Sequence, residues 1–345
     1  MNLKYAFRPG KPALTARLAS AVVQTNLLGG QRLRYVDFAV DFRCNLKCEH
    51  CFATALRHDE KRRMTPDDYG RVAEQAMRLG AVNFSFQGGE PLLFDKLPEI
   101  IKACRPHKNL ISVTTNGTLL CEERINWLKA AGVDILTISL DSSDPAKHDK
   151  FRGLPGSFEK TVAGIKFALK AGLRVSVGTV VTHQSLAAGE IEGLIKFCGD
   201  LKILLYLILP VPAGKWIEKN DMMLSQDDLK KVYAWPEQYY FVRTDFQANF
   251  SHHGCGAAKE ILYLTPYGDV LVCPFIHISP GNIFEESVET IRARAMANPW
   301  LDHYHDKCLA STDADFIAKH LSRTFGRNDL PLKWDLAFPK EEQKR

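Results

Sequence analysis

The stretch "DFRCNLKCEHCFATAL" (residues 41–56) places Cys44, Cys48 and Cys51 within one short loop, directly after the strand-like run "YVDFAVDF" (35–42). Three thiols cannot all pair with one another as disulfides, so they hold something or one of them is spare. The loop falls at the C-terminal end of a strand, where parallel α/β folds bind their ligands. A zinc site normally draws four ligands from paired two-residue spacings. Three thiolates with no fourth nearby better suit an iron–sulfur cubane that keeps one iron open.

Working outward, strand-like runs recur at 82–87, 110–116, 134–140, 173–181 and 203–209. Amphipathic segments at 66–80, 121–132 and 157–172 lie between them. The last two end on glycine, a common helix stop, and Ser157 is placed to cap the third. Strands buried on both faces and joined by helices predict a parallel sheet. Six such units fit a partial (β/α)6 barrel as well as a doubly wound sheet, and periodicity does not choose between them.

After "PVPAGKW" (210–216) the rhythm breaks. Residues 225–240 predict a helix, and 261–273 predict two short strands around a turn at Tyr267-Gly268-Asp269. Helical segments near 286–297 and 313–326 follow, before a Pro- and charge-rich tail. The expected division is an N-terminal extension (1–34), an α/β body (35–215), a linker with a helix (216–254), a small C-terminal module of β-hairpin plus helices (255–326) and a tail (327–345).

The chain has 345 residues, enough for a large core, with 46% hydrophobic and 25% charged residues. A net charge of +5 is slight for that length and gives no case for nucleic acid. The basic run "RHDEKRR" (57–63) is interleaved with acids and reads as solvated. No apolar run reaches the length of a membrane span, and the N-terminus lacks the pattern of a signal peptide, which predicts a cytoplasmic protein. Nine cysteines then argue for metal binding, catalysis or burial rather than disulfides. Cys104, Cys121 and Cys198 read as small buried hydrophobes.

The Cys-x3-Cys-x2-Cys spacing, its place after the first strand, and "QGGEP" (87–91) at the end of the second resemble the radical S-adenosylmethionine (SAM) superfamily. The resemblance implies a 4Fe-4S cluster on Cys44, Cys48 and Cys51 whose open iron chelates SAM. It also implies reductive cleavage of SAM to a 5′-deoxyadenosyl radical that removes hydrogen from a substrate. His50 then stands where the family often carries an aromatic residue near the adenine. Gly88, Gly89 and Glu90 would meet the SAM amino group, although Glu90 could instead orient its own turn. Read from residues alone, the two glycines allow close backbone approach and Pro91 stiffens the turn. "TTNGT" (114–118) and "SLD" (139–141) fall at the ends of the third and fourth strands, which makes Asn116, Ser139 and Asp141 candidate SAM contacts. Ordinary turn chemistry also accounts for Asn116, and capping of the next segment for Asp141. Arg152, in "HDKFRG" (148–153), could pair with a carboxylate or form a surface salt bridge.

A second set follows. Cys255 and Cys273 bracket a Gly turn as Cys-x12-Gly268-x4-Cys, and Cys308 comes later in "HYHDKC". This resembles the auxiliary-cluster module called SPASM, in its shorter form, Twitch. The shorter form often ends on two cysteines separated by two residues. Here His305 stands in the earlier of those places, so it could ligate, the site could be open, or a remote residue could complete it. His252, His253 and His277 are candidates for proton transfer because imidazole titrates near neutrality.

The resemblance implies an external electron donor such as flavodoxin or ferredoxin. A small-molecule substrate is expected, for dehydrogenation, epimerisation or rearrangement, because only 43 residues precede Cys44, too few for an added leader-binding module. Maturation of a ribosomally made peptide by a thioether or carbon–carbon crosslink is the alternative. A structural zinc or iron–sulfur protein would keep the cysteines but has no use for "GGEP" or "SLD" at the mouth.

Overall fold

The structure, a computed structural model, describes residues 10–26, 31–217, 219–245 and 254–339. Six parallel strands form its centre: β1 (Tyr35–Asp41), β2 (Asn83–Gly88), β3 (Leu110–Thr115), β4 (Ile135–Ser139), β5 (Arg174–Val180) and β6 (Leu204–Ile208). They lie side by side in chain order. A doubly wound sheet would reverse its order at a switch point. Unbroken sequential order, with right-handed crossovers, puts the connecting helices on one face and curls the sheet into a partial barrel.

The strand sequences alternate in a way that fits this arrangement better than burial on both faces. Val36, Phe38 and Val40 of β1, Phe84 and Phe86 of β2, and Leu136 and Ile138 of β4 join the core shared with the helices. The opposite face carries Asp37, Ser85, Gln87, Ser112, Thr114, Thr137 and Ser139, and several of these remain partly accessible on central strands. The barrel interior is therefore polar. Helix Pro66–Arg78 shows how the outer layer is fixed: Thr65 and Asp68 form a reciprocal capping box, and Tyr69, Val72, Ala73 and Ala76 are buried.

The remaining strands extend the same sheet. β7 (Val242–Thr244) adds beyond β6, within the segment expected as a linker. β8 (Ile261–Leu264) pairs in parallel with β1 on the other side, and β9 (Asp269–Leu271) returns antiparallel to β8 across a turn in which Gly268 has φ +82°. The expected hairpin exists, and it continues the barrel sheet. Of the short strands β10 (Ile278–Ser279), β11 (Gly281–Asn282) and β12 (Leu332–Lys333), β11 pairs with β9 and β10 with β12. The expected tail is thus built in, because Leu330, Leu332, Trp334 and Phe338 are buried in a second core with Phe42, Tyr267 and Leu271.

Two local expectations differ. Ser157 opens its helix, but the cap is Gly156, and the Ser157 hydroxyl donates to Asp149 instead. Cys121 is exposed, as the residue preceding helix Glu122–Ala131, whereas Cys104 and Cys198 are buried as expected.

Candidate metal centre and cofactor site

The three-cysteine loop is held from below by the turn after β2. The Gly89 N–H donates to Asp41 O and the Glu90 N–H to Arg43 O, each at 2.8 Å. Gly88 has φ +135°, and a Cβ there would meet Asp41 O at 2.1 Å. A Cβ at Gly89 would meet Arg43 O at the same distance. The close approach that demands both glycines is thus to the chain's own cysteine loop. The buried Asp41 carboxylate receives the N–H of Phe42 at 2.7 Å and Arg43 Nε at 2.6 Å. It also lies 3.2 Å from Arg63 Nη1, so the run 57–63 is not wholly solvated.

Glu90 is buried and faces inward to the strand ends. Its carboxylate accepts from Thr115 Oγ1 at 2.7 Å, from the Asn116 N–H at 2.8 Å and from the Leu92 N–H at 3.1 Å. Burial raises its pKa, and these donors oppose the rise. Glu90 orients its own turn and ties it to β3.

The sulfurs are met by donors from three elements. The Leu46 N–H donates to Cys44 Sγ at 3.4 Å. Asn116 Nδ2 donates to Asn45 Oδ1 at 2.9 Å and lies 3.9 Å from Cys44 Sγ, while its Oδ1 accepts the Thr118 N–H. Asn116 therefore makes its turn and touches the cysteine loop as well. Arg152 Nη1 approaches Cys48 Sγ at 3.7 Å, and its Nε and Nη2 bind the Asp141 oxygens at 2.5 and 3.1 Å. This pair is buried, not a surface bridge. Burial alone would raise the Asp141 carboxyl, but the guanidinium holds it below its ordinary value. Asp141 does not cap the following helix, since Asp144 does. Ser139 lies half-buried on the polar face at the end of β4.

His50 stacks on Phe151 with ring centroids 4.7 Å apart at 17°, beside Trp216 at 5.7 Å. Burial lowers its pKa to about 3, so the ring is neutral, and its buried Nδ1 has no partner among the described residues. Lys215 and Gly214 carry no motif and escape a sequence reading. Lys215 Nζ donates to Cys48 O at 3.0 Å, and a Cβ at Gly214 would meet Cys51 O at 2.3 Å. The only signal for them was the break in rhythm at "PAGKW".

Cys255, Cys273 and Cys308 come together from distant segments, close enough for their charges to couple. Burial pushes all three thiols up. Backbone N–H groups point at them: Ala257 and Leu309 at Cys255, Phe275 at Cys273, and Ala310 at Cys308. His305 pairs with Cys255 as an isolated bridge, in which the Cys255 N–H donates to His305 O at 2.8 Å. Its ring stacks on Trp300, and its buried Nε2 has no partner among the described residues. His277 is buried against Phe52, with its pKa lowered to about 4 by burial. His252 and His253 lie outside the described residues.

The donor chemistry of the first loop fits an iron–sulfur cluster. Burial pushes the Cys48 thiol upward, so metal at the sulfur is what would keep it as a thiolate near neutrality. Amide and guanidinium donors at the sulfurs are the interactions that tune such clusters. The same argument covers the N–H-lined second set. Among the described residues no three His, Cys, Asp or Glu side chains form a single-ion site.

The sequence profile described as Radical SAM superfamily matches residues 41–198. The chain is 25% identical over 285 residues to an AdoMet-dependent heme synthase of Nitratidesulfovibrio vulgaris, covering 74% of this chain and 77% of that one. It is 32% identical over 211 residues to a probable GTP 3′,8-cyclase of Methanococcus aeolicus, covering 59% and 69%. Among solved structures, native anSMEcpe with bound AdoMet superposes with a TM-score of 0.60 at 20% identity, covering 81% of this chain and 83% of that one. Streptococcus suis SuiB bound to S-adenosylmethionine gives a TM-score of 0.60 at 19% identity, covering 79% and 67%. These two likenesses show the fold.

Proposed function

Because the chain belongs to the radical SAM superfamily, we propose that Cys44, Cys48 and Cys51 hold its 4Fe-4S cluster and that it removes hydrogen from a small-molecule substrate. When bound, the cluster and SAM together supply a 5′-deoxyadenosyl radical. The observation that carries the residue assignment is the brace of Gly88, Gly89, Glu90 and Asn116 against a loop whose sulfurs face amide and guanidinium donors. In this reading the loop presents three thiolates toward the strand ends, and Arg152, already neutralised by Asp141, stabilises Cys48. His50, Phe151 and Trp216 form an apolar wall beside the loop that keeps water from it.

Cys255, Cys273 and Cys308 hold an auxiliary iron–sulfur cluster, with His305 as a candidate fourth ligand. An external donor of the flavodoxin or ferredoxin class supplies electrons. The hairpin and segments bearing this set, residues 255–326, serve as the auxiliary module beside a barrel of 35–215. Relatives named as a heme synthase and a GTP cyclase support a small molecule over a peptide. Among the described residues no helix is long and apolar enough to cross a membrane.

The test is iron and sulfide content with 5′-deoxyadenosine formation after anaerobic reconstitution. Wild type should hold two clusters and cleave SAM under strong reductant. Replacing Cys44, Cys48 and Cys51 by Ala should leave one cluster and no cleavage. Replacing Cys255, Cys273 and Cys308 should also leave one cluster, and unchanged iron there would sink the auxiliary assignment. SAM cleavage retained in the first variant would overturn the whole reading.

A further inference from the structure

The polar inner face of the barrel contains one rung that the cysteine sites do not explain. Tyr263 of β8, Asp37 of β1, Ser85 of β2 and Ser112 of β3 are registered partners across four adjacent strands. Neighbouring strands lie about 4.8 Å apart, so consecutive members of the rung are within reach of one small ligand group. Tyr263 is fully buried, yet its hydroxyl has no hydrogen-bond partner among the described residues. A buried phenol left so is costly unless something completes it.

The rung is within charge range of both cysteine sets. Tyr263 feels the charges of Asp37 and Cys51, and Cys273 feels that of Asp37. Gln87, Thr114 and Thr137, nearer the C-terminal ends of the strands, stay partly accessible, so the inner face is open from that side.

The geometry points to a substrate subsite at this rung that takes a hydroxyl group, which donates to the Asp37 carboxylate and accepts from the Tyr263 phenol. It deepens the reading of a small-molecule substrate and rests on it. A hydroxyl satisfies both partners at one oxygen. An ammonium would leave the phenol hydrogen without an acceptor, and a carboxylate would face Asp37. The Ser85 hydroxyl already serves Asp37, and Ser112 Oγ donates to Asn83 Oδ1 at 3.3 Å, so the one open pair is Tyr263 and Asp37 and the substrate class is an alcohol. Ser85 and Gln87 already hold the Asp37 carboxyl, and burial raises its pKa to about 7, so a further donor to the carboxylate would lower it.

Glycerol is the probe. In the full chain loaded with its clusters, infrared titration follows the protonated carboxyl band, assigned to Asp37 by its loss in Asp37→Asn. Saturating glycerol should lower the Asp37 pKa by about one unit, the size of one hydrogen bond to a charged group. Tyr263→Phe, which removes only the hydroxyl, should abolish most of that shift. Malonate and 1,3-diaminopropane should not reproduce it. No shift with glycerol, an equal shift in Tyr263→Phe, or a shift with the diamine or malonate instead would overturn the subsite. Absence of 5′-deoxyadenosine from the loaded wild type would remove the radical function while leaving the glycerol titration standing. Its presence without a glycerol shift would remove this subsite alone.

Discussion

Phe52 and Phe275 meet edge to face, with ring centroids 5.1 Å apart at 74°. Phe52 directly follows Cys51, and Phe275 stands just past Cys273 and Pro274, so this contact clamps one cysteine loop against the other. Both rings pack on the second core, which also takes in Cys51, Cys255, Cys273 and Cys308. An aromatic pair of this geometry is worth about 0.5–1.5 kcal/mol beyond its buried area. A double-mutant cycle of Phe52→Leu and Phe275→Leu, read by urea unfolding, should return a coupling energy in that range. Simple additivity of the two losses would show that the loops are held apart from this contact.

Gly88→Ala tests the brace beneath the first loop. The backbone there has φ +135°, and the new methyl would meet Asp41 O at 2.1 Å. Strained backbone of this kind costs roughly 1–3 kcal/mol, before the loop is displaced. The variant should unfold at lower urea and take up less iron at the first site on reconstitution. Wild-type stability with wild-type iron would show that the loop does not depend on this glycine.

Arg152→Met should cost about 3–5 kcal/mol, the range for removing one partner of a buried ion pair. The replacement nearly keeps the volume but leaves Asp141 buried with only the His148 ring beside it at 3.6 Å, a ring that burial keeps neutral near pH 7. Because the Asp141 carboxyl sits below its ordinary value in the folded chain, its contribution is complete above that value and fades as pH falls through the folded pKa. The deficit of the variant, measured by urea unfolding, should therefore be largest near neutrality and shrink in acid. A deficit that does not change with pH would argue against a charged pair.

Asp37 carries the opposite sign. Its carboxyl rises from 3.8 to about 7 on folding, so between those values the folded chain binds a proton that the unfolded chain has released. Stability should then fall as pH rises through that window, by up to about 1.4 kcal/mol per pH unit, and level off above it. Asp37→Asn should remove this slope. A slope equal in wild type and variant would place the titration elsewhere.

Much of the architecture is legible in the chain itself. All six parallel strands, the glycine-turned hairpin and both cysteine sets are marked by local rules of apolar periodicity, turn residues and spacing. These rules act within one element, and one element is all a short stretch of sequence can specify. What they leave open is decided between elements. The order of the strands, which makes a partial barrel rather than a doubly wound sheet, depends on how crossovers pack. Burial of Arg152 against Asp141 and Cys48 depends on a helix meeting a distant loop. Lys215 and Gly214 reach that loop from the end of β6, with no motif to announce them. The strands β7 and β12 are two or three residues long, too short for any period to show. The rung of Tyr263, Asp37, Ser85 and Ser112 exists only because sheet register sets four separate strands level. Sequence determined which residues can do the chemistry, because side-chain type and spacing are local. Tertiary structure alone decided which of them meet, because burial and register are properties of the packed whole.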